Sequence, residues 1–227
     1  MTCFIVCLSS PSGGGKTAVT QRLGQLCPNS VTLYFDEYDD IGEGENIHPE
    51  NLRQWLIDGG DYNAWQMPGL LRDLALLRAG QPIRSPSTQT ILAPQSVVFL
   101  DNALGRASLT LRPYCDLMVY IATPLDVAMA RRIQRDYFGD NQSDAQSALD
   151  HINAMTASYL TWAREAYLDQ ERQVKPLCDL VLDGCLPVDE LARQILAALR
   201  GGKNLIEKQT PLALLARGVR LLLIPTV

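Results

Sequence analysis

The sequence is poor in residues that hold structural metals. It contains two histidines, and none of its six cysteines forms a Cys-x-x-Cys pair. The cysteines are Cys3, Cys7, Cys27, Cys115, Cys178 and Cys185. Zinc sites draw on closely spaced cysteines and histidines, so this spacing argues against a zinc site. Scattered cysteines are typical of reduced thiols, and we expect a cytoplasmic location.

The sequence also lacks a long apolar run and an excess of basic residues. No segment approaches the roughly 18 consecutive apolar residues of a membrane helix. Met1–Leu8 carries no basic residue, so we expect no signal peptide. Lys and Arg number 20 against 25 Asp and Glu, for a net charge of −5. We therefore expect no membrane and no nucleic-acid partner, whereas a homo-oligomer stays open.

Short apolar runs alternate with helical patterns along the chain. The runs show no polar alternation, which is typical of parallel strands covered on both faces. They are Phe4–Leu8, Val31–Phe35, Val97–Leu100, Leu117–Ile121 and, more weakly, Leu180–Leu182. We therefore predict an α/β domain over residues 1–200, with a parallel five-stranded sheet flanked by helices and a small helical lid.

The end of the chain differs in composition from the rest. A helical stripe, which Gly201-Gly202 is expected to end, is formed by Val188, Leu191, Ile195 and Leu199. Residues 201–227 are rich in leucine. We treat them as a C-terminal extension to which the sequence assigns no role.

A glycine-rich turn follows the first predicted strand and precedes a helical pattern. From Ser10 to Thr17 it reads Ser-Pro-Ser-Gly-Gly-Gly-Lys-Thr. Glycines let successive backbone N–H groups surround an anion, and the helix N-terminus adds positive field. This is the context of a P-loop and predicts a P-loop NTPase fold. We assign nucleotide binding to Ser12, Gly13, Gly14, Gly15, Lys16, Thr17 and Ala18.

The turn departs from the usual P-loop pattern at its first position. That position is normally glycine, and here it is Ser10. A serine can hold the turn if its φ stays negative. The alternative is a glycine-rich strand–helix turn in which Lys16 occurs by chance.

Two acidic residues follow predicted strands at the edge of the sheet where α/β proteins bind ligands. Asp36 follows the second strand and is the candidate base for an attacking hydroxyl. Asp101 follows Val97–Leu100, and with the Thr17 hydroxyl it is expected to hold Mg²⁺. The alternatives are a solvated acidic loop at Asp36 and a turn-capping role for Asp101.

Arginines supply candidate anion-binding groups. Arg132 and Arg135 lie three residues apart on a predicted helix, where they could clamp the transferring phosphate. The alternative is a basic, solvated helix face in which Asp136 pairs locally. In the phosphate-binding interpretation, Tyr137–Asn141, which follows this helix, is expected to be a lid loop. Arg106, near the third strand, is a candidate for contact with an anionic group of the substrate.

Three aromatic residues, Trp55, Tyr62 and Trp65, occur close together in the sequence. They could stack on a ring of the substrate, but aromatics at such spacing more often belong to the core. We favour the core interpretation.

Taken in order over roughly residues 3–198, these motifs resemble the uridine kinase and phosphoribulokinase-like branch of P-loop kinases. Asp36-Glu37-Tyr38 resembles the family's Asp-x-[Phe/Tyr] segment, which implies Asp36 as base and Asp36 and Tyr38 as substrate contacts. Asn46–Glu50 is similar to its His-Pro stretch, and Asp116–Asp136 is the most similar segment. The sequence departs from the family at Asp101-Asn102, where uridine kinases have Glu-Gly.

The combined prediction is a kinase that uses ATP and Mg²⁺ to phosphorylate a hydroxyl of a nucleoside-like or sugar-like small molecule. Lys16, Arg132 and Arg135 would stabilise the transferring group. Two alternatives stay open. One is a kinase for a phosphorylated acceptor, read by Arg84 and Arg106. The other is a degenerate, regulatory P-loop protein that acts through its leucine-rich extension.

Overall fold

The computed structural model describes residues 3–38, 52–137 and 145–208, without the side chains of Ala145 and 202–208. The strands are β1 (Phe4–Ser9), β2 (Ser30–Tyr34), β3 (Ile83–Arg84), β4 (Ile91–Leu92), β5 (Val97–Asp101), β6 (Leu117–Ala122) and β7 (Leu180–Asp183). The α-helices are α1 (Lys16–Leu26), α2 (Leu52–Ile57), α3 (Pro68–Arg78), α4 (Leu125–Tyr137), α5 (Ala145–Ser158), α6 (Arg164–Gln173) and α7 (Val188–Lys208). One π-helical turn, Tyr159–Ala163, joins α5 to α6.

The main sheet has the strand order β2-β5-β1-β6-β7, and every pairing within it is parallel. This confirms the predicted α/β fold and its five strands. All residues of β1 and β5 are buried, which explains their unbroken apolar sequence.

The core lies on both faces of the sheet. Successive strand residues point to opposite faces, so Val6 and Leu8 pack toward α1 and α7, whereas Ile5 and Cys7 pack toward α3. The helices present apolar stripes to these faces. They include Val19 and Leu23 of α1, Leu70, Leu74 and Leu77 of α3, and Leu191, Ile195 and Leu199 of α7.

Two features differ from the sequence prediction. Helix α7 does not end at Gly201-Gly202 but continues to Lys208. Glycine costs about 1 kcal/mol in a helix, which weakens the helix without forcing it to stop. The hairpin of β3 and β4 was not predicted, because two-residue strands are too short to show a periodic pattern. Residues 209–227 of the extension lie outside the described residues.

The sheet topology places the carboxyl ends of β1, β2 and β5 next to one another. Parallel strands end at one edge of the sheet, and the register pairs Asp101 of β5 with both Leu8 of β1 and Tyr34 of β2. The glycine-rich turn from Ser10 to Thr17, called the phosphate loop below, therefore meets Asp101 and the turn after β2 at this edge. No helix among the described residues is both long and apolar enough to cross a membrane.

Candidate active site

The glycine-rich turn forms an ordered loop between β1 and α1. The Gly14 N–H donates to the Pro11 carbonyl at 2.9 Å, and Thr123 Oγ1 donates to the Gly14 carbonyl at 2.8 Å. Gly13 and Gly15 have φ values of 81° and 99°, which favour glycine. The loop thus has the strand–loop–helix geometry that places backbone N–H groups around an anion.

The unusual Ser10 fits this loop. Among the described non-glycine residues, Gln89 is the one with a positive φ, so Ser10 keeps an ordinary backbone. Its side chain is buried, and its hydroxyl donates to the Pro11 carbonyl at 3.0 Å. The condition under which serine can replace glycine at this position is therefore met.

Gly13 is needed for steric as well as conformational reasons. A Cβ at this position would lie 2.1 Å from the Ala128 carbonyl oxygen of α4. We expect Gly13→Ala to reduce the free energy of unfolding by about 2 kcal/mol more than Gly80→Ala, because an added clash costs about 1–3 kcal/mol. Urea unfolding measures the free energy of unfolding. Gly13→Ala is also expected to abolish nucleotide binding, which calorimetry measures.

Gly80→Ala is the matched control. Gly80 has a φ of 73°, and no atom lies within 4 Å of its added Cβ. Both variants therefore carry backbone strain, but Gly13→Ala adds the clash. Equal effects on stability and on nucleotide affinity would show that the close approach of α4 is unimportant.

Asp101 lies beside the first residues of α1. Thr17 Oγ1 donates to Asp101 Oδ2 at 2.7 Å, and Lys16 Nζ lies 3.6 Å from Asp101 Oδ1. The Asp101 side chain is buried, and burial raises its pKa, opposed by the charge of Lys16 and the Thr17 hydrogen bond. The Lys16 ammonium therefore faces a carboxylate at the loop rather than open water.

The same pair of oxygens suits Mg²⁺. A hydroxyl and a carboxylate 2.7 Å apart present the hard oxygen ligands that Mg²⁺ prefers. In the described part of the chain, no cluster of three or more His, Cys, Asp or Glu side chains could hold a metal ion. A donor set of this size fits a metal that takes its other ligands from phosphate and water.

Asp36 lies in a short 3₁₀ turn, Phe35–Tyr38, directly after β2. Its side chain is exposed and lines a cavity described below. Its negative charge contributes to raising the pKa of Asp101 and to raising that of Arg135. Asp36 therefore lies within electrostatic reach of both the phosphate loop and the arginines of α4.

Tyr38 occupies a different environment from the one predicted. It is 1% exposed, and its hydroxyl donates to Asp73 Oδ2 of α3 at 3.1 Å. Burial raises the pKa of this phenol, and Asp73 adds to the effect. The prediction that Tyr38 contacts the substrate is corrected, since both its ring and its hydroxyl are occupied within the core.

The arginines of α4 take separate positions. A Cβ added to Gly13 would lie 3.1 Å from the Arg132 Cβ, so Arg132 packs against the phosphate loop. Arg132 Nη1 donates to the Tyr167 hydroxyl at 3.2 Å. Arg135 Nε donates to Asp136 Oδ1 at 2.6 Å, and this hydrogen bond raises the pKa of Arg135. Asp136 thus pairs locally, as the alternative interpretation expected, while Arg132 stays beside the loop.

Arg106 lies away from the phosphate loop. Its guanidinium donates to Asp179 Oδ1 and Oδ2 at 2.8 and 2.6 Å and to the Cys115 carbonyl at 3.0 Å. Cys115 and Asp179 precede β6 and β7, at the edge of the sheet opposite to the loop. The prediction that Arg106 binds a substrate anion is corrected, because a bidentate ion pair with Asp179 uses the donors of its guanidinium. Arg84 lies on the β3–β4 hairpin and donates to the Gln89 carbonyl at 2.7 Å.

A cavity of about 360 Å³ opens next to Asp36. Its walls are mainly aromatic and aliphatic, and they come from the turn after β2, the α2–α3 region and α6. The lining residues are Phe35, Asp36, Leu52, Trp55, Tyr62, Trp65, Ala103, Leu104, Trp162, Ala166, Tyr167 and Gln170.

The predicted aromatic cluster belongs to this cavity wall. Trp55 meets Tyr62 and Trp65 edge-on, with ring centroids 5.3 and 6.0 Å apart. Tyr62 is 5% exposed, whereas both tryptophans are half-buried and line the cavity. The core interpretation therefore holds for Tyr62, and the two tryptophans, which pack against the same core, also form part of the cavity wall.

Sequence reasoning missed the contribution of α6. Gln170 Nε2 donates to the Ala103 carbonyl at 2.8 Å and to Ser9 Oγ at 3.3 Å, which ties α6 to the ends of β5 and β1. The sequence signal for this role of α6 is weak, because Arg164–Gln173 is polar overall and carries no motif. Of the predicted features, Asn46–Glu50 and most of the lid loop at Tyr137–Asn141 lie outside the described residues.

Comparison with known proteins points to uridine kinases. The uridine kinase of Latilactobacillus sakei is 28% identical over 143 residues, which cover 59% of the chain and 66% of that relative, just under two thirds. The uridine kinase of Klebsiella pneumoniae is 26% identical over 230 residues, covering 90% of each protein. No protein-family model matches the chain.

Among solved structures, a possible uridine kinase from Bacillus stearothermophilus superposes with a TM-score of 0.43 at 17% identity. The superposition covers 81% of the chain and 90% of that protein. The fold assignment rests on the strand order and the phosphate loop of the chain itself. Together with the sequence similarity to curated uridine kinases, these features support a uridine kinase-like P-loop kinase.

Proposed function

We propose that the chain transfers the γ-phosphoryl group of ATP to a hydroxyl of a neutral, ring-containing acceptor of the nucleoside or sugar type. One observation carries this proposal. The aromatic cavity that could hold such an acceptor opens beside Asp36, at the same sheet edge as the phosphate loop. An acceptor hydroxyl and a nucleotide γ-phosphate could therefore meet in front of Asp36.

The nucleotide would be held by the loop residues Ser12 to Ala18. Their backbone N–H groups, the N-terminus of α1 and the Lys16 ammonium would bind the phosphates. Thr17 and Asp101 would supply ligands to Mg²⁺, which lowers the negative charge on the phosphates when it is bound. Water and phosphate oxygens complete such a site.

In the transfer step, Asp36 would accept the proton of the acceptor hydroxyl. The oxygen then forms a bond to the γ-phosphorus as the bond from that phosphorus to the ADP oxygen breaks. Lys16, Arg132 and Arg135 would stabilise the charge spread over the transferring group. Catalysis of this kind depends mainly on positioning, which the ordered loop and the preformed cavity would provide.

The composition of the cavity supports a neutral acceptor over a phosphorylated one. No lysine or arginine is among the described residues that line it. A phosphate on the acceptor would lack a partner there, and burying an unpaired charge is costly. The aromatic walls instead suit the face of a planar or sugar ring.

The experiment is a two-stage screen of the purified chain. Thermal shift with Mg²⁺ and a non-hydrolysable ATP analogue is expected to raise the melting temperature, since a ligand of the native state stabilises it. ADP release is then followed with uridine, cytidine, ribose and shikimate against ribulose 5-phosphate and adenylylsulfate. We expect a neutral acceptor to raise the rate of ADP release at least about 100-fold over buffer.

Different results would favour the alternatives. Turnover only with phosphorylated acceptors would contradict the neutral-acceptor proposal. Nucleotide binding without turnover on any acceptor would favour a regulatory P-loop protein.

A further inference from the structure

We propose that Tyr167 is a positioning residue, which holds the Arg132 guanidinium at the boundary between the acceptor cavity and the phosphate loop. The proposal rests on the proposed function, because that function gives Arg132 a γ-phosphate to bind. It assigns a role to α6, which carries no motif in the sequence.

Tyr167 lies where the two halves of the candidate site meet. Its side chain lines the acceptor cavity. It also lines a second cavity of about 190 Å³, whose walls include Pro11 of the phosphate loop and Thr123, the residue that binds the Gly14 carbonyl. The tyrosine therefore separates the space for the acceptor from the space beside the loop.

Arg132 needs a second point of attachment. Its Cβ is fixed against Gly13, but its side chain is 33% exposed and its Nε lies 3.4 Å from Asp136 Oδ2. The shorter contact of Asp136, at 2.6 Å, goes to Arg135. Holding a long arginine in one geometry costs side-chain entropy, so a further partner helps to orient it.

The Tyr167 hydroxyl is that partner. It accepts a hydrogen bond from Arg132 Nη1 at 3.2 Å. A hydrogen bond from a charged donor is stronger than one between neutral groups. It fixes one side of the guanidinium. Nε is directed at Asp136, and the remaining N–H groups are left for an anion at the loop.

Helix α6 is itself held firmly enough to serve as a support. Gln170, one turn after Tyr167, binds the Ala103 carbonyl and Ser9 Oγ. Asp169 accepts hydrogen bonds from the Tyr62 hydroxyl at 3.3 Å and from Gln173 Nε2 at 2.8 Å. Helix α6, which carries Tyr167, is thus held against the ends of β1 and β5, the strands that lead to the loop and to Asp101.

The test is a double-mutant cycle with Tyr167→Phe and Arg132→Ala, read by calorimetric affinity for Mg–ADP and for Mg–AMPPNP. Tyr167→Phe keeps the ring and removes the hydroxyl. We expect it to weaken Mg–AMPPNP binding about 3- to 10-fold, the size of one typical intramolecular hydrogen bond, and to leave Mg–ADP binding within about 2-fold. In the Arg132→Ala background it should have no further effect.

Tyr159→Phe is the matched control. The Tyr159 ring lies 6.3 Å from the Tyr167 ring, so the control removes a hydroxyl from the same aromatic pair. It is expected to leave both affinities unchanged. Because ADP and AMPPNP differ at the γ-phosphate, a general loss of structure would lower both affinities, whereas loss of positioning lowers one.

Unchanged Mg–AMPPNP affinity in Tyr167→Phe would overturn the proposal, as would an additive effect with Arg132→Ala. If Arg132→Ala alone has no effect on Mg–AMPPNP, Arg132 does not reach the γ-phosphate and the positioning role falls with it. Wild-type protein that binds neither nucleotide would instead refute the proposed nucleotide site. The failures of the two proposals are therefore distinguishable.

Discussion

Asp36→Asn is expected to lower the rate of phosphoryl transfer by about 10²-fold or more while the affinity for ATP stays close to that of the wild type. The asparagine keeps the shape of the side chain but cannot accept the hydroxyl proton. Asp36 is exposed in the turn after β2, so the change removes no core packing. Steady-state rates with the best acceptor from the screen, together with calorimetric ATP affinity, measure the two effects.

Glu37→Gln is the matched control for this variant. Glu37 lies next to Asp36 in the same turn and also carries a carboxylate. Its replacement changes the net charge by the same amount and is expected to leave turnover within about 2-fold, as is usual for surface changes. Equal losses in the two variants would assign the effect to local charge, and an unchanged rate in Asp36→Asn would remove Asp36 as the base.

Lys16→Ala is expected to reduce turnover by about 10²- to 10³-fold, the range seen when one preorganised charge-stabilising donor is removed. It should also weaken ATP binding, because the ammonium is the charged group of the loop. Lys175→Ala is the control, since Lys175 pairs with Glu171 and lies over the Tyr120 ring. Turnover in Lys16→Ala at the level of this control would contradict the assignment of the phosphate loop.

The same variant has a pH signature in nucleotide-free protein. Burial raises the Asp101 pKa and Lys16 opposes this, so removing Lys16 raises that pKa further. A carboxyl whose folded-state pKa is raised lowers stability by the full amount above that folded-state pKa. This cost shrinks as the pH falls from the folded-state pKa toward the unfolded-state pKa, and it is absent below the latter. Lys16→Ala should therefore destabilise the protein most at neutral pH and progressively less in acid. Urea unfolding across this pH range measures the difference.

The parts of the site that could be predicted depend on neighbours in sequence. The turn from Ser10 to Thr17 requires glycines where φ is positive, and Gly13 and Gly15 have such values. Asp101 was identifiable because a fully buried parallel strand is an unbroken apolar run that ends in a carboxylate at the ligand edge. For the phosphate loop and for Asp101, the same short segment of sequence therefore specifies both the backbone conformation and the functional group.

The errors concern side chains whose partners are distant in sequence. The Arg106 guanidinium pairs with Asp179, which lies 73 residues later in the sequence. The Tyr38 hydroxyl donates a hydrogen bond to Asp73, which lies 35 residues later in the sequence. An arginine or a tyrosine can bind either a ligand or another residue of the protein. The residues next to it in the sequence do not distinguish the two cases.

By itself, the sequence determined the parallel sheet, the phosphate loop and the position of Asp101, because burial patterns and glycine conformations are local properties. Only the tertiary structure decided which arginine lies beside the loop, that Trp55 and Trp65 line a cavity, and that α6 supplies its opposite wall. These outcomes depend on how helices far apart in the chain pack on the sheet. Many different side-chain pairs satisfy the same local pattern, and packing selects among them.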